Sequence, residues 1–583
     1  MMEETRTFDA VVIGSGFGGA VTACRLAEHG YSVLVLERGH RWGPRKGVRD
    51  ESNQAGDRAD PEVMPFPRRS GDAWLWDHRH PEQAAGWIDF RAFPYMGVAQ
   101  GAGVGGGSLI YSNVLLEADA RTFALGWPNE IKAGALAPYY KKVGEMLEGR
   151  TVPQAQRSEL VKLLKEAAEK TGAGPRSRAL DLAVRFSDDF SYDSSQRPDI
   201  QGSIRKLNIH GAWQGTCTGL GTCNLGCELG ARNTLDKNYL FVAETHNAEI
   251  WPRHLVRVIE PEASGGYRVH FDSIHTGRFE PGSVVGRLVV LAAGSLGSTE
   301  LLLRCKEQYG TLPRLSSFLG KNWSSNGDVL TPAFYFFRKP LYPGRGVPFA
   351  GSVNFLDGGP AAAGVPGQPK PGFNIEDGGF PYQAARTLVR HLAMNRRPDL
   401  RMRHKAFHLA VSLLGALYSA AHWLAERRVL KPLRPVIEWA DPVNRMMPWV
   451  AQGQDAANGI LQLRDGELFL EWDPEQSVPT IDAIIATQKG LARSTGGWVL
   501  PPIAWRWFRS LVTPHPLGGC NMGDDAAHGV VNHKGEVFGY PRLYVADGAI
   551  VPEALGVNPA KTIAALAERI AELIMIDHPR GNL

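Results

Sequence analysis

A chain of 583 residues is too long for one simple hydrophobic core, and two domains is the natural expectation. Its 43% apolar and 21% charged residues describe a globular protein and exclude a disordered one. The net charge is only +4, with no basic stripe and interleaved aromatics, so nucleic acid is not an expected partner.

Residues 1–8 contain no apolar run, which excludes a secretory signal ahead of the first strand and makes the cytoplasm the default expectation. Ala10 to Ile13 are continuously apolar, the pattern of a parallel strand covered on both faces. Gly14, Gly16 and Gly19, with Phe17 and Gly18 between them, supply G-x-G-x-x-G. The first glycine allows a tight turn, the second lets backbone approach a pyrophosphate, and the third lets helix and strand pack closely. A helix over 20–29 and a strand over 31–36 follow. Glu37 closes that strand, where a carboxylate accepts hydrogen bonds from an adenine dinucleotide's ribose. An acid at this position fits NAD or FAD and disfavours a 2′-phosphate.

From His40 to Gln100 the sequence reads as irregular surface structure, with Trp74, Trp76 and Trp87 as packing residues. Gly101 to Gly107 then form a glycine-rich loop, running on through Ser108 to Asn113. Such a loop is useful where backbone N–H groups must come close to a ligand. A helix is expected over 158–171. Cys217, Cys223 and Cys227 lie within eleven residues, a spacing open to two readings: buried structural thiols or ligands of an iron–sulfur cluster. Strands over 248–251 and 255–259 follow, with the Val256 backbone a candidate contact for adenine. A buried strand over 287–291 leads through a turn at Ala293, Gly294 and Ser298 to a helix over 299–305.

Phe407 to Ala425 contain no Asp, Glu, Lys or Arg, and basic residues flank the segment on both sides. By length alone it could span a bilayer. A single span would separate the two halves of one cofactor site, so a buried helix or an interfacial one is expected, with peripheral membrane contact through 400–434.

At the C-terminal end His515 stands between Pro514 and Pro516, which restrict the backbone on either side. A strand over 543–545 ends in Asp547-Gly548. Asn558 and Pro559 precede a helix over 560–576 whose N-terminus favours negative charge.

The N-terminal fingerprint, the loop Gly103 to Ser108 and the two C-terminal motifs together resemble the glucose–methanol–choline (GMC) flavoprotein oxidoreductases. The bacterial cholesterol oxidase-like branch is the nearest in character. The resemblance implies an α/β fold. A Rossmann-like FAD-binding domain is assembled from 1–130, 205–305 and 505–583. An α+β substrate domain with a mainly antiparallel sheet takes 131–204 and 306–504. It implies FAD, held noncovalently because 108–114 contain no histidine. The cofactor-binding set is Gly14, Gly16, Phe17, Gly18, Gly19, Glu37, Gly105, Gly106, Gly107, Ser108, Asn113, Val256, Ala293, Gly294, Asp547, Gly548, Asn558 and Pro559, with no metal.

His515 and Asn558 match the pair that faces the flavin in that branch, and Glu376 matches its active-site acid. The implied reaction is oxidation of an alcohol, a sterol or another bulky lipid alcohol, by hydride transfer to flavin N5. O2 or another acceptor then takes the electrons. In this scheme His515 is the base, Asn558 orients the hydroxyl, and Glu376 is an auxiliary proton acceptor. Two other readings stay open: a dehydrogenase with a Cys-ligated cluster, and a non-catalytic flavin-binding protein at a membrane surface.

Overall fold

The computed structural model describes residues 6–582 except 44–48, 51–62, 67–73, 84–85, 125, 197, 276, 359–371, 382–440 and 501. The apolar segment 407–425 lies outside the described residues, as does all of 400–434. Among the described residues, no helix is long and apolar enough to cross a membrane.

The N-terminal strand Thr7–Ile13 lies inside a seven-stranded sheet. Its parallel neighbours are Val33–Glu37 on one side and the end of the long strand Arg278–Leu291 on the other. Glu249–Pro252 extends the parallel part past Val33–Glu37, and Leu543–Val545 pairs parallel with Val289 to Leu291. Tyr267–His275 and His254–Pro261 add an antiparallel flank. The central strands are buried on both faces, which is why Ala10 to Ile13 and Leu288 to Leu291 are apolar without alternation. Helix Phe17–Glu28 packs against the C-terminal helix Ala560–Asp577 and against Tyr239–Thr245. The first and last segments of the chain therefore close on one another.

A second, six-stranded sheet is antiparallel throughout. Its order is Ser177–Ala179, Gly351–Asn354, Phe373–Asp377, Met446–Gly453, Val329–Phe334 and Trp498–Val499. Side chains alternate across such a sheet. Phe373, Ile375, Trp449 and Ala451 share one apolar core with Leu160 and Leu164 of helix Glu159–Lys170 and with Ile481 and Ile484 of helix Val478–Ser494. The alternate residues Asn374, Glu376 and Gln452 occupy the other face and are fully buried as well. That second face is polar, and it adjoins the C-terminal motifs.

The sequence expectation fails in two places. Residues 40–100 are not irregular throughout. Ile88–Phe93 and Met96–Gly101 form a hairpin, joined by Leu75–Trp76 and Leu511–Thr513 into a four-stranded sheet. The hairpin escapes pattern reading because its buried positions include Asp89 and Arg91. Asp89 pairs with Arg38 at 2.9 Å, and Arg91 pairs with Glu300 at 2.5 Å, so charged residues stand where an apolar stripe is normally sought. The second difference lies at Gly294 to Ser298, which form the first turn of helix Gly294–Leu303 rather than a loop before it. Trp74, Trp76 and Trp87 are buried in packing positions.

Candidate active site

The glycine segments meet backbone to backbone. A Cβ on Gly14 would stand 2.4 Å from the Ala292 carbonyl oxygen, one on Gly18 2.0 Å from that of Ala546, and one on Gly106 2.6 Å from the Gly16 Cα. No side chain fits at these crossings. Gly19 is equally confined, with Gly14 O at 2.0 Å. By contrast, a Cβ on Gly16 meets atoms only at 4.0 Å, and one on Gly107 meets nothing within 4 Å. The closed glycines bring four chain segments together, and the open ones leave backbone exposed between those segments.

Short side chains lock these segments together. Ser15 donates from N (3.1 Å) and Oγ (2.6 Å) to Glu37 Oε2, while Glu37 Oε1 accepts from Gly39 N at 2.9 Å. Ser15 Oγ also accepts from Gly105 N at 3.0 Å, tying the fingerprint to the glycine loop. Ser108 Oγ donates to Gly105 O and accepts from Leu235 N. Phe17 packs edge-on against Tyr111 at 5.4 Å. Asp547 Oδ2 accepts from Gly294 N at 2.8 Å and Ser298 Oγ at 2.5 Å, and Oδ1 accepts from Ala549 N, which joins the Ala293-Gly294 turn to Asp547-Gly548. Val256 lies at a register shift in strand His254–Pro261, which also contacts Val33–Glu37. Pro559 caps the C-terminal helix without a side-chain hydrogen bond, and Gly16 does the same for helix Phe17–Glu28.

Arg232 was not anticipated from sequence. Fully buried, it donates to Asn113 Oδ1 (2.8 Å) and to the carbonyls of Ser108, Leu109 and Tyr111, so one guanidinium holds the exit of the glycine loop. Asn113 Nδ2 lies against the Cys223 thiol. The open glycines and the two helix starts with free N–H groups fit an extended dinucleotide.

The three side chains nominated from sequence lie near one another. His515 Nδ1 donates to Asp328, with Oδ1 at 2.9 Å and Oδ2 at 3.0 Å, which leaves Nε2 free as an acceptor. Thr513 Oγ1 donates to Asp328 at 2.5 Å and accepts from the His515 N–H at 2.8 Å, so the backbone before the histidine is bound to the same carboxylate. Burial lowers the imidazole's proton affinity, but the adjacent Asp328 charge and hydrogen bond outweigh it, and the His515 pKa is raised overall. Asp328 is itself buried, and desolvation pushes its pKa up.

Glu376 is fully buried, and burial raises its carboxyl to about 8, so it is predominantly protonated at neutral pH. Oε1 accepts from Asn374 Nδ2 at 3.0 Å and Oε2 from Asn558 Nδ2 at 3.4 Å, and the charge of His515 also acts on it. Asn326 shapes the turn that carries Asn558: its Oδ1 accepts from Leu555 N and Gly556 N at 2.9 Å, and its Nδ2 donates to Val557 O at 2.8 Å. Segment 324–328 is in turn bound by Asp455 through Ser324, Ser325 and Gly327. The three residues nominated from sequence thus come together on a support, Asn326 and Asp328, that no local motif announces.

The clustered cysteines lie beside the exit of the glycine loop, where Cys223 neighbours Asn113 and Arg232. Cys217, Cys223 and Cys227 are free thiols lining one enclosed void of about 10 Å³. That space is at or below what a single water needs, so an iron–sulfur cluster does not fit without rearrangement. Burial pushes the Cys223 thiol up to about 11 and that of Cys217 higher. Among the described residues no three His, Cys, Asp or Glu side chains are grouped to hold a metal ion.

The neutral Glu376 carboxyl makes a prediction for stability. Its pKa rises from 4.5, the ordinary value, to about 8 in the fold. Its favourable contribution is therefore complete below about pH 4.5 and is lost as pH rises through 8. Glu376→Gln, which mimics the neutral acid, is expected to melt increasingly above the wild type from pH 5 to pH 8 and by a constant margin beyond. Each kcal/mol recovered gives a gain of about 1–2 °C for a chain of this length. Calorimetry of the flavin-loaded proteins across that range checks it, and a margin that does not change with pH would contradict the assignment.

Residues 12–51 match the family model described as NAD(P)-binding Rossmann-like domain, and 505–567 match that of GMC oxidoreductase. Over 97% of its length the chain is 30% identical to a cholesterol oxidase of Mycobacterium tuberculosis, covering 91% of that protein. Over 98% of its length it is 28% identical to a cholesterol oxidase of Acinetobacter baumannii, covering 95% of it. The crystal structure of pyridoxine 4-oxidase from Mesorbium loti superposes with a TM-score of 0.58 at 15% identity, covering 98% of this chain and 99% of that one, a likeness of fold. The chain belongs to the GMC oxidoreductase family, in its cholesterol oxidase-like branch. It is an FAD-dependent alcohol oxidoreductase.

Proposed function

We propose that this enzyme oxidises the hydroxyl of a sterol or another bulky lipid alcohol, with His515, Asn558 and Glu376 as the groups that touch the reacting end. The observation that carries this reading is that these three side chains lie near one another. FAD, when bound, accepts hydride at N5 of its ring. The residues that would hold it are the Gly14–Gly19 turn with Glu37, the Gly105–Ser108 loop with Asn113, Val256, Ala293-Gly294, Asp547-Gly548 and the start of the last helix at Asn558-Pro559. These segments, with 1–130, 205–305 and 505–583 around them, form the cofactor domain. The antiparallel sheet and the remaining segments form the substrate domain.

An alcohol is a poor hydride donor until its O–H proton is taken or strongly hydrogen-bonded, so a base at about 3 Å is required. His515 Nε2 is that base. The Nδ1–H bond to Asp328 fixes its tautomer, and the carboxylate stabilises the imidazolium that forms. Asn558, held by Glu376 and by the Asn326-bound turn, orients the carbinol, where a displacement of about 1 Å can cost ~100-fold. Glu376 relays a proton when the product ketone also isomerises. Because His515 must be neutral to act and its pKa is raised, kcat/KM rises with pH through a value above the ordinary imidazole range. The two relatives are named for cholesterol oxidation, which supports the sterol assignment and O2 as acceptor.

Oxygen-consumption assays on a 3β-hydroxysterol, a long-chain primary alcohol and an aldose test the substrate class. Turnover of the first or second at least about tenfold faster than of the aldose is expected, as apolar binding surface discriminates by ~1–3 kcal/mol per group. A preference for the aldose would overturn it.

A further inference from the structure

We propose that Asn374 and Gln452 form a second polar subsite beside Glu376, one that takes a hydroxyl carried by the substrate within two or three bonds of the carbinol carbon. The two residues face each other across adjacent strands, Phe373–Asp377 and Met446–Gly453, in the register Asn374 to Gln452. Directly paired residues of an antiparallel sheet point to the same face. Here that face is the one carrying Glu376, away from the apolar core on Phe373, Ile375 and Trp449.

Both side chains are fully buried. Asn374 Nδ2 donates to Glu376, but its Oδ1 has no partner among the described residues. Neither Oε1 nor Nε2 of Gln452 has one either. Asn558 repeats the pattern, with Nδ2 on Glu376 and Oδ1 unpaired. Buried polar groups in native proteins are nearly always hydrogen-bonded, and a cluster of exceptions marks a place where something else supplies the partner. Asn374 and Asn558 both spend a donor on Glu376 and keep an acceptor free, so the missing partner brings O–H or N–H groups. Asn558 reaches the reacting oxygen with the second hydrogen of Nδ2, because the single proton of that hydroxyl goes to His515. Asn374, two residues from Glu376 on the same strand, and Gln452, opposite it on the next strand, call for a second donor on the same molecule.

This deepens the proposed function and rests on its placement of the reacting carbinol at His515 and Asn558. It replaces a simple mono-alcohol by a vicinal or 1,3-diol, whether on a steroid ring or on another apolar skeleton. A site built to hydrogen-bond a substrate hydroxyl discriminates strongly against the analogue lacking it, because its own polar groups are then left unpaired.

The test compares kcat/KM of the flavin-loaded wild type on four compounds: cyclohexanol, trans-1,2-cyclohexanediol, a 3β-hydroxysteroid and the matching 2,3-dihydroxysteroid. The expected result is a preference of at least about tenfold for the diol on both skeletons. That ratio collapses toward one in Asn374→Leu and in Gln452→Leu. A wild-type ratio near one overturns the subsite without any variant having to fold, and so does a ratio that survives both substitutions. Water resident between the two amides gives the first of those results. The skeletons separate the two claims. Diol preference with poor use of both steroids keeps the subsite and refutes the sterol-sized substrate, whereas good use of both steroids alike does the reverse.

Discussion

His515→Ala is expected to lower kcat/KM for the alcohol by about 10²–10⁴-fold while leaving FAD bound, the usual range for loss of a positioned general base. The histidine lies on the peptide that follows Leu511–Thr513, and its ring is hydrogen-bonded to Asp328, so truncation removes the base while the glycine crossings stay in place. Asp328→Asn is the sharper companion. It keeps the shape but removes the charge that raises the His515 pKa, and it offers Nδ1 an amide that can donate. The pH at which kcat/KM rises should move downward, toward the ordinary imidazole value, and kcat should fall by roughly 100-fold or more as the tautomer is lost. Because the two residues act as one unit, the double variant should be no worse than His515→Ala alone. Steady-state pH profiles of the four proteins check this. A fall in rate with no movement of the profile would make Asp328 merely structural.

The second large effect concerns the glycine crossings. Gly18→Ala places a methyl 2.0 Å from the Ala546 carbonyl oxygen and 2.7 Å from its carbon, and both atoms are backbone at the end of Leu543–Val545, just before Asp547. No side chain can turn aside, so either helix Phe17–Glu28 or the Asp547 segment must move. Loss of FAD together with a lower melting temperature of the apoprotein is expected. Gly107→Ala is the contrast, since its Cβ has open space and no positive φ to strain. Its methyl projects into that space. The apoprotein should melt as the wild type does, while FAD affinity falls by about 10–100-fold, the equivalent of ~1–3 kcal/mol of overpacking. Flavin titration and calorimetry of both variants distinguish the effects. Equal behaviour of the two would mean that the open glycines do not face the cofactor.

Much of this was legible in the sequence because its signals are local. The strand, glycine turn, helix and acid over 9–37 announce a dinucleotide site within one contiguous stretch, and the residues around His515 and Asn558 carry their motifs with them. The support for the site was not legible. Asp328 lies 187 residues before His515, and Asn326 lies 231 residues before Val557, so neither spacing has a period to read. Arg232 could have been suspected as a long cation in an otherwise small-residue stretch, but the carbonyls it binds lie more than 100 residues upstream. The hairpin over 88–101 was hidden by its inward-facing Asp89 and Arg91, whose partners Arg38 and Glu300 come from other elements. The unpaired amides of Asn374 and Gln452 exist only once two strands are in register. The groups proposed to perform the chemistry carry local motifs, whereas those that position them come together only in the fold.

A crystal structure of the FAD-loaded enzyme with the ketone product of a turned-over alcohol tests the central claim most directly. The account predicts the ketone oxygen at hydrogen-bond distance, about 3 Å, from both His515 Nε2 and Asn558 Nδ2. A ketone bound with its oxygen away from both side chains, or with His515 and Asn558 on opposite sides of the ligand, would contradict it.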